Sequence, residues 1–231
     1  SPGGPVGNIA AWNESLQQEL VNQAESGRVF CRIAPQRAYQ TLDLLHLKAA
    51  SWTKSSQPLN SGWTMILELT DEDGFLNGLS GKWQCKLEQS QKREHSIILW
   101  DNPDLETMLR VYDAMGEYKG LEDHSRKRLR SLFRCCGANI IVFKCVRDND
   151  EVLGFRTCIF LGGKAWDLLG AATPQGRENC VSYGLTSAML NHCMKLGIKH
   201  YDLSGIDPSG LKWVIDYKKG TGANPLEYLG E

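Results

Sequence analysis

The sequence predicts an α+β fold in which a mixed, mostly antiparallel sheet is flanked by helices. Three strand-like runs in succession, with turn residues between them, predict an antiparallel meander at 138–146, 152–161 and 164–169. A long helix at 178–196 and a short strand at 200–203 are predicted to follow. A meander followed by a helix and one more strand is typical of α+β domains.

The elements before residue 100 are predicted from caps, glycines and periodicity. They are a helix from Asn8 or Asn13 to about Glu25, a strand at 28–33, a segment at 41–50 that is either strand or helix, a strand at 63–69, a helix at 71–92 with a break near Gly78 and Gly81, and a strand at 95–100. Periodicity does not decide between strand and helix at 41–50.

Two further helices precede the meander. Asp101-Asn102-Pro103-Asp104 is a strong helix start, because a capping side chain is followed by proline near the first turn. That helix is predicted to end at Gly120, and a second one to run from about Asp123 or Ser125 to Cys136. After the strand at 200–203, a short helix at 213–219 and a last strand near 226–229 are predicted.

Composition narrows the function before any motif is considered. The chain has 231 residues, which allows one domain with extensions or two small ones. Its net charge is −1, from 26 basic and 27 acidic side chains. This excludes a protein that binds nucleic acid through an overall basic surface. The longest apolar runs are interrupted by Lys144 and Arg156, so no stable membrane insertion is expected.

The eight cysteines are predicted to be reduced and structural. They contain no C-x-x-C pair, no histidine lies at zinc-finger spacing, and most have apolar neighbours. This usage favours a reducing, cytoplasmic setting. Residues 1–7 are interpreted as a tail or expression scar and are left out of the fold prediction.

The C-terminal part of the sequence resembles the Fem family. The residues that carry the resemblance are the runs 201–208 (YDLSGIDP), 216–222 (DYKKGTG) and 226–231 (LEYLGE). A weaker match lies at 64–69 and 82–92, and the resemblance covers about residues 60–231. Fem proteins are aminoacyl-tRNA-dependent transferases that build peptidoglycan cross-bridges, and their domains have the Gcn5-related N-acetyltransferase fold.

The resemblance implies a short, single-core member. Residues 8–100 are interpreted as a partial N-terminal subdomain with a basic helix, and residues 101–231 as the acyltransferase core. Gln84 and Cys85 stand where the family's basic helix has arginines, and Tyr217 stands where it usually has phenylalanine. In this fold two central strands separate, and the gap between them holds the acyl donor.

The implied reaction is transfer of an amino acid from aminoacyl-tRNA to a free amine of a peptide. The acceptor is a peptide antibiotic intermediate or a peptidoglycan precursor (muropeptide), and neither metal nor organic cofactor is required. Two alternatives remain open: an acyl-CoA-dependent N-acyltransferase and a non-catalytic binding domain with the same fold. The general base, the amino acid and the oligomeric state stay open as well.

Lys218, Tyr217 and Asp207 are the candidate catalytic residues. The resemblance places Lys218 in the family's aromatic-lysine step, where it would stabilise the tetrahedral oxyanion, with Tyr217 packed beside the reacting ester. Asp207 follows a strand end and would accept a proton or orient the amine. From spacing alone, Lys218 would be a solvated charge and Asp207 an ordinary turn aspartate.

Gly205, Lys219 and Arg177 are candidate substrate-binding residues. Gly205 ends the short strand near the donor, Lys219 would contact phosphate, and Arg177 would contact an anionic substrate. Acetyl-CoA-using relatives place a glycine-rich turn, Q/R-x-x-G-x-G/A, before their main helix to bind pyrophosphate. The corresponding stretch at 175–184 lacks this glycine pair and contains Glu178, which disfavours coenzyme A.

A basic helix at 126–134 is the candidate contact for the tRNA acceptor arm. Arg126, Lys127 and Arg130 are predicted to hold phosphates, and Lys86 belongs to a second candidate patch. The alternative is a solvated helix face.

Overall fold

The computed structural model describes residues 2–3, 9–23, 32–35, 37–57, 61–119, 126–207 and 212–230. The chain divides into two compact units. The smaller unit comprises residues 1–65, 205–215 and 224–231, and the larger unit comprises residues 66–204 and 216–223. The units alternate along the chain, and the domain boundary near residue 100 stays a prediction.

Most helices of the described residues begin and end close to the predicted positions, whereas α7 was not predicted. The helices are α1 (Ile9–Gln23), α2 (Thr41–Ala49), α3 (Glu72–Gly78), α4 (Gly81–Gln91), α5 (Leu105–Lys119), α6 (Arg126–Cys136), α7 (Pro174–Glu178), α8 (Val181–Lys195) and α9 (Lys212–Lys219), with a 3-10 turn at Gly137–Asn139. The open choice at 41–50 is thus a helix. None of the described helices combines the length and the apolar character that crossing a membrane requires.

The described strands belong to a two-stranded and a seven-stranded sheet. They are β1 (Pro2–Gly3), β2 (Ala34–Pro35), β3 (Trp63–Glu68), β4 (Ser96–Leu99), β5 (Ile140–Val146), β6 (Val152–Leu161), β7 (Lys164–Ala172), β8 (His200–Ile206) and β9 (Asn224–Glu227). The large sheet has the order β4-β5-β6-β7-β8-β3-β9, and β1 pairs with β2. Most of the strand predicted at 28–33 lies outside the described residues.

The predicted meander is confirmed. β4, β5, β6 and β7 pair antiparallel in sequence, whereas β7 and β8 pair parallel. The sheet is therefore mixed and mostly antiparallel, as expected. The parallel pair is joined by α8, because parallel neighbours need a crossover connection.

Local capping explains several helix starts. The Asp104 carboxylate accepts the backbone N–H groups of Glu106 and Thr107 at 3.3 and 3.0 Å, which fixes the start of α5. The predicted break in the 71–92 segment is present. Leu79 and Ser80 are extended, and the Ser80 hydroxyl caps the new helix α4.

The two sides of β6 face different helices. Phe155 belongs to a core cluster with Met108, Val111 and Met115 of α5. Cys158 points to the opposite face, where its Sγ lies 3.3 Å from Met189 Sδ of α8. Helix α8 and helix α5 thus cover the two sides of the central strands.

The helix predicted at 178–196 is present as α8, and the short helix α7 that precedes it was not predicted. Cys180 has a left-handed backbone with φ of +57°, and this separates α7 from α8. A cysteine at such a position is uncommon, which is why the helical pattern alone did not reveal the break.

Candidate functional site

The parallel strands β7 and β8 pair only over their first three residues and then separate. Their pairing ends at Trp166 and Asp202, although β7 continues to Ala172 and β8 to Ile206. We call this point the strand split. Beyond it, the two strands no longer pair with each other, so a gap opens between their facing edges.

Two irregularities adjoin the strand split. The β6–β7 register shifts between Thr157 and Cys158, so β7 carries a bulge next to Asp167. Ser204 of β8 has a φ of +64°, an unusual conformation for a residue other than glycine. Bulges and strained residues both redirect side chains, and they are frequent at functional sites.

Lys218 lies at the strand split and is buried. Its side chain comes from α9, only 9% of the residue is exposed, and its Nζ donates to the Ser204 carbonyl oxygen at 3.0 Å. Desolvation lowers the pKa of Lys218, and the opposing charge of Asp167 only partly offsets this. A buried ammonium of this kind is a strong hydrogen-bond donor toward a developing negative charge.

A buried ion pair lies beside Lys218. Arg156 of β6 is 8% exposed, and its Nη2 donates to Asp167 Oδ2 at 2.7 Å. Burial alone would lower the pKa of Arg156, but the Asp167 carboxylate raises it above its usual value, so the guanidinium stays charged. Tyr201 donates its hydroxyl to Asp167 Oδ1 at 3.1 Å.

The hydroxyl of Tyr217 is enclosed by hydrogen-bonding groups. It lies 2.6 Å from Thr186 Oγ1, 3.0 Å from the Ser182 carbonyl oxygen and 3.4 Å from Nη1 of Arg156. Burial raises the pKa of Tyr217, although Arg156 opposes the shift. The phenol therefore stays neutral, and its hydrogen bonds tie α9 to α8 and β6.

Aromatic rings pack the C-terminal end of α9 against α4. Trp83 lies 6.0 Å from the Tyr217 ring and 5.0 Å from the Tyr183 ring between centroids. A Cβ at Gly220 would lie 2.8 Å from Trp83 Cδ1, so the residue after Lys219 must be small. This packing fixes the backbone that carries Lys218.

The connection between β7 and α8 is folded tightly onto the sheet. Thr173 caps α7 by accepting the Gly176 N–H at 3.1 Å, and Arg177 Nη1 donates to the Ala172 carbonyl at 3.0 Å. A Cβ at Gly176 would come within 2.2 Å of the Leu153 carbonyl oxygen. The glycine at this position thus serves close packing against β6.

Two of the three candidate catalytic residues, Lys218 and Tyr217, are sequence neighbours on α9 and lie in the larger unit, where their side chains contact different partners. Gly205 and the exposed Asp207 belong to the smaller unit, where Gly205 approaches the Ser61 side chain. Lys219 is exposed on α9. The roles of these residues stay predictions.

The predicted tRNA contacts are partly described. Arg130 is exposed and pairs with Glu106 at 3.3 Å. Lys86 is half-buried on α4, and its Nζ donates to Gln89 Oε1 at 3.1 Å. The side chains of Arg126 and Lys127 lie outside the described residues.

Sequence reasoning missed Arg156, Asp167, Tyr201 and Ser204. A signal was present for the first two, since a charged residue stood inside each of two otherwise strand-like, largely apolar runs. Charged side chains are almost never fully buried unless paired, so each predicts a partner. The partner itself could not be identified before the strands were aligned.

The described residues contain no group of three or more histidine, cysteine or acidic side chains arranged to hold a metal ion. All cysteines of the described residues are free thiols, as predicted; four of them are buried, whereas Cys85 and Cys135 are exposed.

The sequence matches the family described as acetyltransferase (GNAT) domain over residues 85–219, more than half of the chain. The chain belongs to this GNAT family. The family is one of acyltransferases, so the acyltransferase assignment and the predicted fold are confirmed. No curated protein matches the sequence.

Solved structures agree with this family. FemX superposes with a TM-score of 0.88 at 17% identity, covering 99% of this chain and 78% of FemX. The C-terminal domain of a putative lysylphosphatidylglycerol synthetase from Agrobacterium fabrum gives 0.64 at 14% identity, covering 98% and 75%. L-PGS from Bacillus licheniformis gives 0.59 at 11%, covering 100% and 77%. The Fem-like fold predicted from the motifs is thereby confirmed.

Proposed function

We propose that this GNAT-family protein transfers an amino acid from aminoacyl-tRNA to a free amine of a peptide and forms a peptide bond. The observation that carries the proposal is the buried ammonium of Lys218 at the strand split, hydrogen-bonded to Ser204. The acceptor is a peptide antibiotic intermediate or a peptidoglycan precursor. The motifs at 201–208 and 216–222, shared with the Fem family, support this donor class.

The chemistry follows from the bonds that change. The acceptor amine attacks the ester carbonyl that joins the amino acid to the terminal ribose, and a tetrahedral oxyanion forms. The C–O bond then breaks, and the amine loses a proton while the ribose oxygen gains one. A donor aimed at the oxyanion is worth about 3–4 kcal/mol, and Lys218 is the proposed donor.

The surroundings of Lys218 suit this role. Its hydrogen bond to the Ser204 carbonyl uses one of the three ammonium protons and fixes the direction of the side chain. Tyr217 has its hydroxyl among Thr186, Ser182 and Arg156, so we assign it positioning rather than proton transfer.

The β7–α8 connection supports an RNA donor over coenzyme A. A pyrophosphate would need the free N–H groups of a glycine-rich turn. Here the Gly176 N–H already donates to the Thr173 hydroxyl, and the Arg177 side chain donates to a main-chain carbonyl. Cys180, directly before α8, has a left-handed backbone. The internal hydrogen bonds of this connection therefore speak against pyrophosphate binding by its N–H groups.

The neighbouring folds support an aminoacyl group as cargo. Lysylphosphatidylglycerol synthetase, by its name, attaches lysine to a lipid, and its C-terminal domain shares this fold. Phosphates of the tRNA acceptor arm would be held by Arg126, Lys127 and Arg130 of α6 and by Lys86 of α4. Arg130 is exposed, which suits such a contact.

The second candidate is an acyl-CoA-dependent N-acyltransferase, which the match to an acetyltransferase family favours. The two candidates are separated by supplying the purified protein with charged tRNA or with acetyl-CoA, together with a panel of peptide amines. Product formation and deacylation are followed for the tRNA, and thiol release for acetyl-CoA. We expect peptide product when charged tRNA is the donor and no thiol release when acetyl-CoA is the donor. Thiol release from acetyl-CoA without any product from charged tRNA would reject the proposal in favour of the second candidate.

A further inference from the structure

The strand split is flanked by two carboxylates, and they are not equivalent. Asp202 of β8 is paired with Lys164 at 3.1 Å and accepts the Ser204 N–H at 2.9 Å, and only 2% of its side chain is exposed. Asp167 of β7 keeps 16% of its side chain exposed although Arg156 and Tyr201 donate to it. Of these two, only Asp167 is accessible to a ligand.

The Asp167 carboxylate can accept further hydrogen bonds. Each carboxylate oxygen accepts at two positions, and the described contacts use one on Oδ2, from Arg156, and one on Oδ1, from Tyr201. Both partners are themselves buried, so they hold the carboxylate in one orientation. An additional donor that enters the split would meet a fixed anionic acceptor.

Asp167 and Lys218 are linked through a single residue. The Ser204 hydroxyl donates to the main-chain carbonyl of Asp167, and the Ser204 carbonyl accepts from Lys218. The Asp167 carboxylate also acts electrostatically on the Lys218 ammonium, so the two charged groups lie near each other. A carbonyl group that receives a hydrogen bond from Lys218 is therefore in the field of the Asp167 carboxylate.

The geometry of an aminoacyl ester fits this arrangement. Its α-nitrogen lies about 2.5 Å from the carbonyl carbon, as standard N–Cα and Cα–C bonds require. When the carbonyl oxygen faces Lys218, the α-ammonium has to lie close by. Without Asp167 it would meet two positive groups, Arg156 and Lys218, and that would disfavour binding. A simple acyl group has only carbon at this position.

We propose that Asp167 binds the α-ammonium group of the aminoacyl donor and thereby selects aminoacyl esters over simple acyl or hydroxyacyl esters. This inference rests on the proposed aminoacyl-tRNA-dependent function and names the substrate group that the strand split recognises. Arg156 and Tyr201 are positioning residues for Asp167.

The test compares two donors that differ only at the α-substituent. The transferred amino acid and the α-hydroxy acid with the same side chain are charged onto the same tRNA, and kcat/KM is measured for each. We expect the wild-type protein to prefer the aminoacyl donor at least about tenfold, because hydrogen bonds between two ionised groups are stronger than those to a neutral hydroxyl. Asp167→Asn should bring the ratio close to one.

Asp202→Asn is the matched control. It removes a carboxylate at the other strand of the same split, where Lys164 already occupies it, so the donor ratio should stay as in wild type. An unchanged ratio in folded Asp167→Asn would overturn the ammonium site, and so would an equally reduced ratio in both variants.

A second measurement needs only the wild-type protein and covers the case that Asp167→Asn does not fold. Binding is measured for 3′-amino-3′-deoxyadenosine carrying the aminoacyl or the hydroxyacyl group as a non-reacting amide. At least about tenfold tighter binding of the ammonium analogue is expected; equal or absent binding would overturn the site. Preferential binding without transfer from either tRNA would instead reject the proposed function and leave the site standing.

Discussion

Replacing Lys218 with methionine removes the proposed oxyanion donor while keeping an unbranched side chain of similar length. Lys218 is buried, and its Nζ makes a 3.0 Å hydrogen bond to Ser204, so the variant loses a charge and a donor at one defined place. The buried stem of the side chain keeps its packing, because methionine adapts readily to irregular space.

The transfer rate is expected to fall strongly in the Lys218→Met variant. Removing an oxyanion donor costs about 3–4 kcal/mol of transition-state stabilisation, or about 10²–10³ in kcat. A tenfold loss is the smallest effect compatible with the proposed role. The Ser204 carbonyl also loses its Lys218 donor, which costs about 1–3 kcal/mol of stability if water does not replace it.

The assay is single-turnover transfer from charged tRNA to a peptide amine, with thermal unfolding as a check on the fold. Lys212→Met is the matched control, since Lys212 is an exposed lysine at the other end of α9. We expect the control to retain its rate. Full transfer activity in a folded Lys218→Met variant would refute the assignment.

Burial of Lys218 also predicts how stability depends on pH. The pKa of Lys218 in the folded protein is below the unfolded value of 10.5, so the unfolded chain binds this proton more tightly. The charged form therefore costs stability at neutral pH. The free energy of unfolding therefore increases as the pH rises from the folded to the unfolded pKa of Lys218. Subtracting the Lys218→Met curve from the wild-type curve should give this rise; a flat difference would show that Lys218 is not desolvated.

Three further predictions concern the framework of the site. Arg156→Met should reduce the free energy of unfolding by about 3–5 kcal/mol in urea, because it leaves the Asp167 carboxylate without its ion pair; a loss below 1 kcal/mol would contradict the burial of this pair. Gly176→Ala should cost about 1–3 kcal/mol, because the new Cβ would meet a main-chain oxygen, whereas Gly81→Ala, which meets open space, should be neutral or stabilising. Equal midpoints for these two glycine variants would refute that reasoning. Burial raises the pKa of Cys145 to about 12, so in the native protein a thiol reagent at pH 8 should modify exposed Cys85 rapidly and Cys145 only after unfolding, as read by mass spectrometry; rapid native labelling of Cys145 would contradict its burial.

Local signals were sufficient for most of the elements. The run at 101–104 predicted where α5 starts, although the capping side chain is Asp104, after Pro103, and not an Asp or Asn before the proline. The glycines at 78 and 81 predicted the break between α3 and α4. These features depend on neighbours within a few residues, and the sequence contains those neighbours directly.

The separation of α7 from α8 was not predictable from neighbouring residues. Cys180 adopts a left-handed backbone that its residue type does not favour. The Gly176 N–H cap and the close approach to Leu153 hold the preceding turn against β6. Tertiary packing, rather than local propensity, therefore determines where α8 begins.

The candidate site was only half visible in the sequence. Lys218 and Tyr217 were found through a family motif, but their partners come from distant segments. Arg156 lies 61 positions from Tyr217 along the chain, and Asp167 meets Tyr201 across 34 positions. The first contact joins β6 to α9, and the second joins β7 to β8. No local pattern encodes the register of two parallel strands that are connected through a helix.

The measurement that tests the central claim most directly is transfer from charged tRNA with and without prior RNase treatment. The purified protein is mixed with aminoacyl-tRNA and the peptide amine acceptor, and the new peptide bond is quantified by mass spectrometry. Lys218 at the strand split is proposed to act on an ester carried by RNA, so we predict product in the untreated reaction and none after the RNA is destroyed. Undiminished product after RNase treatment would contradict the claim.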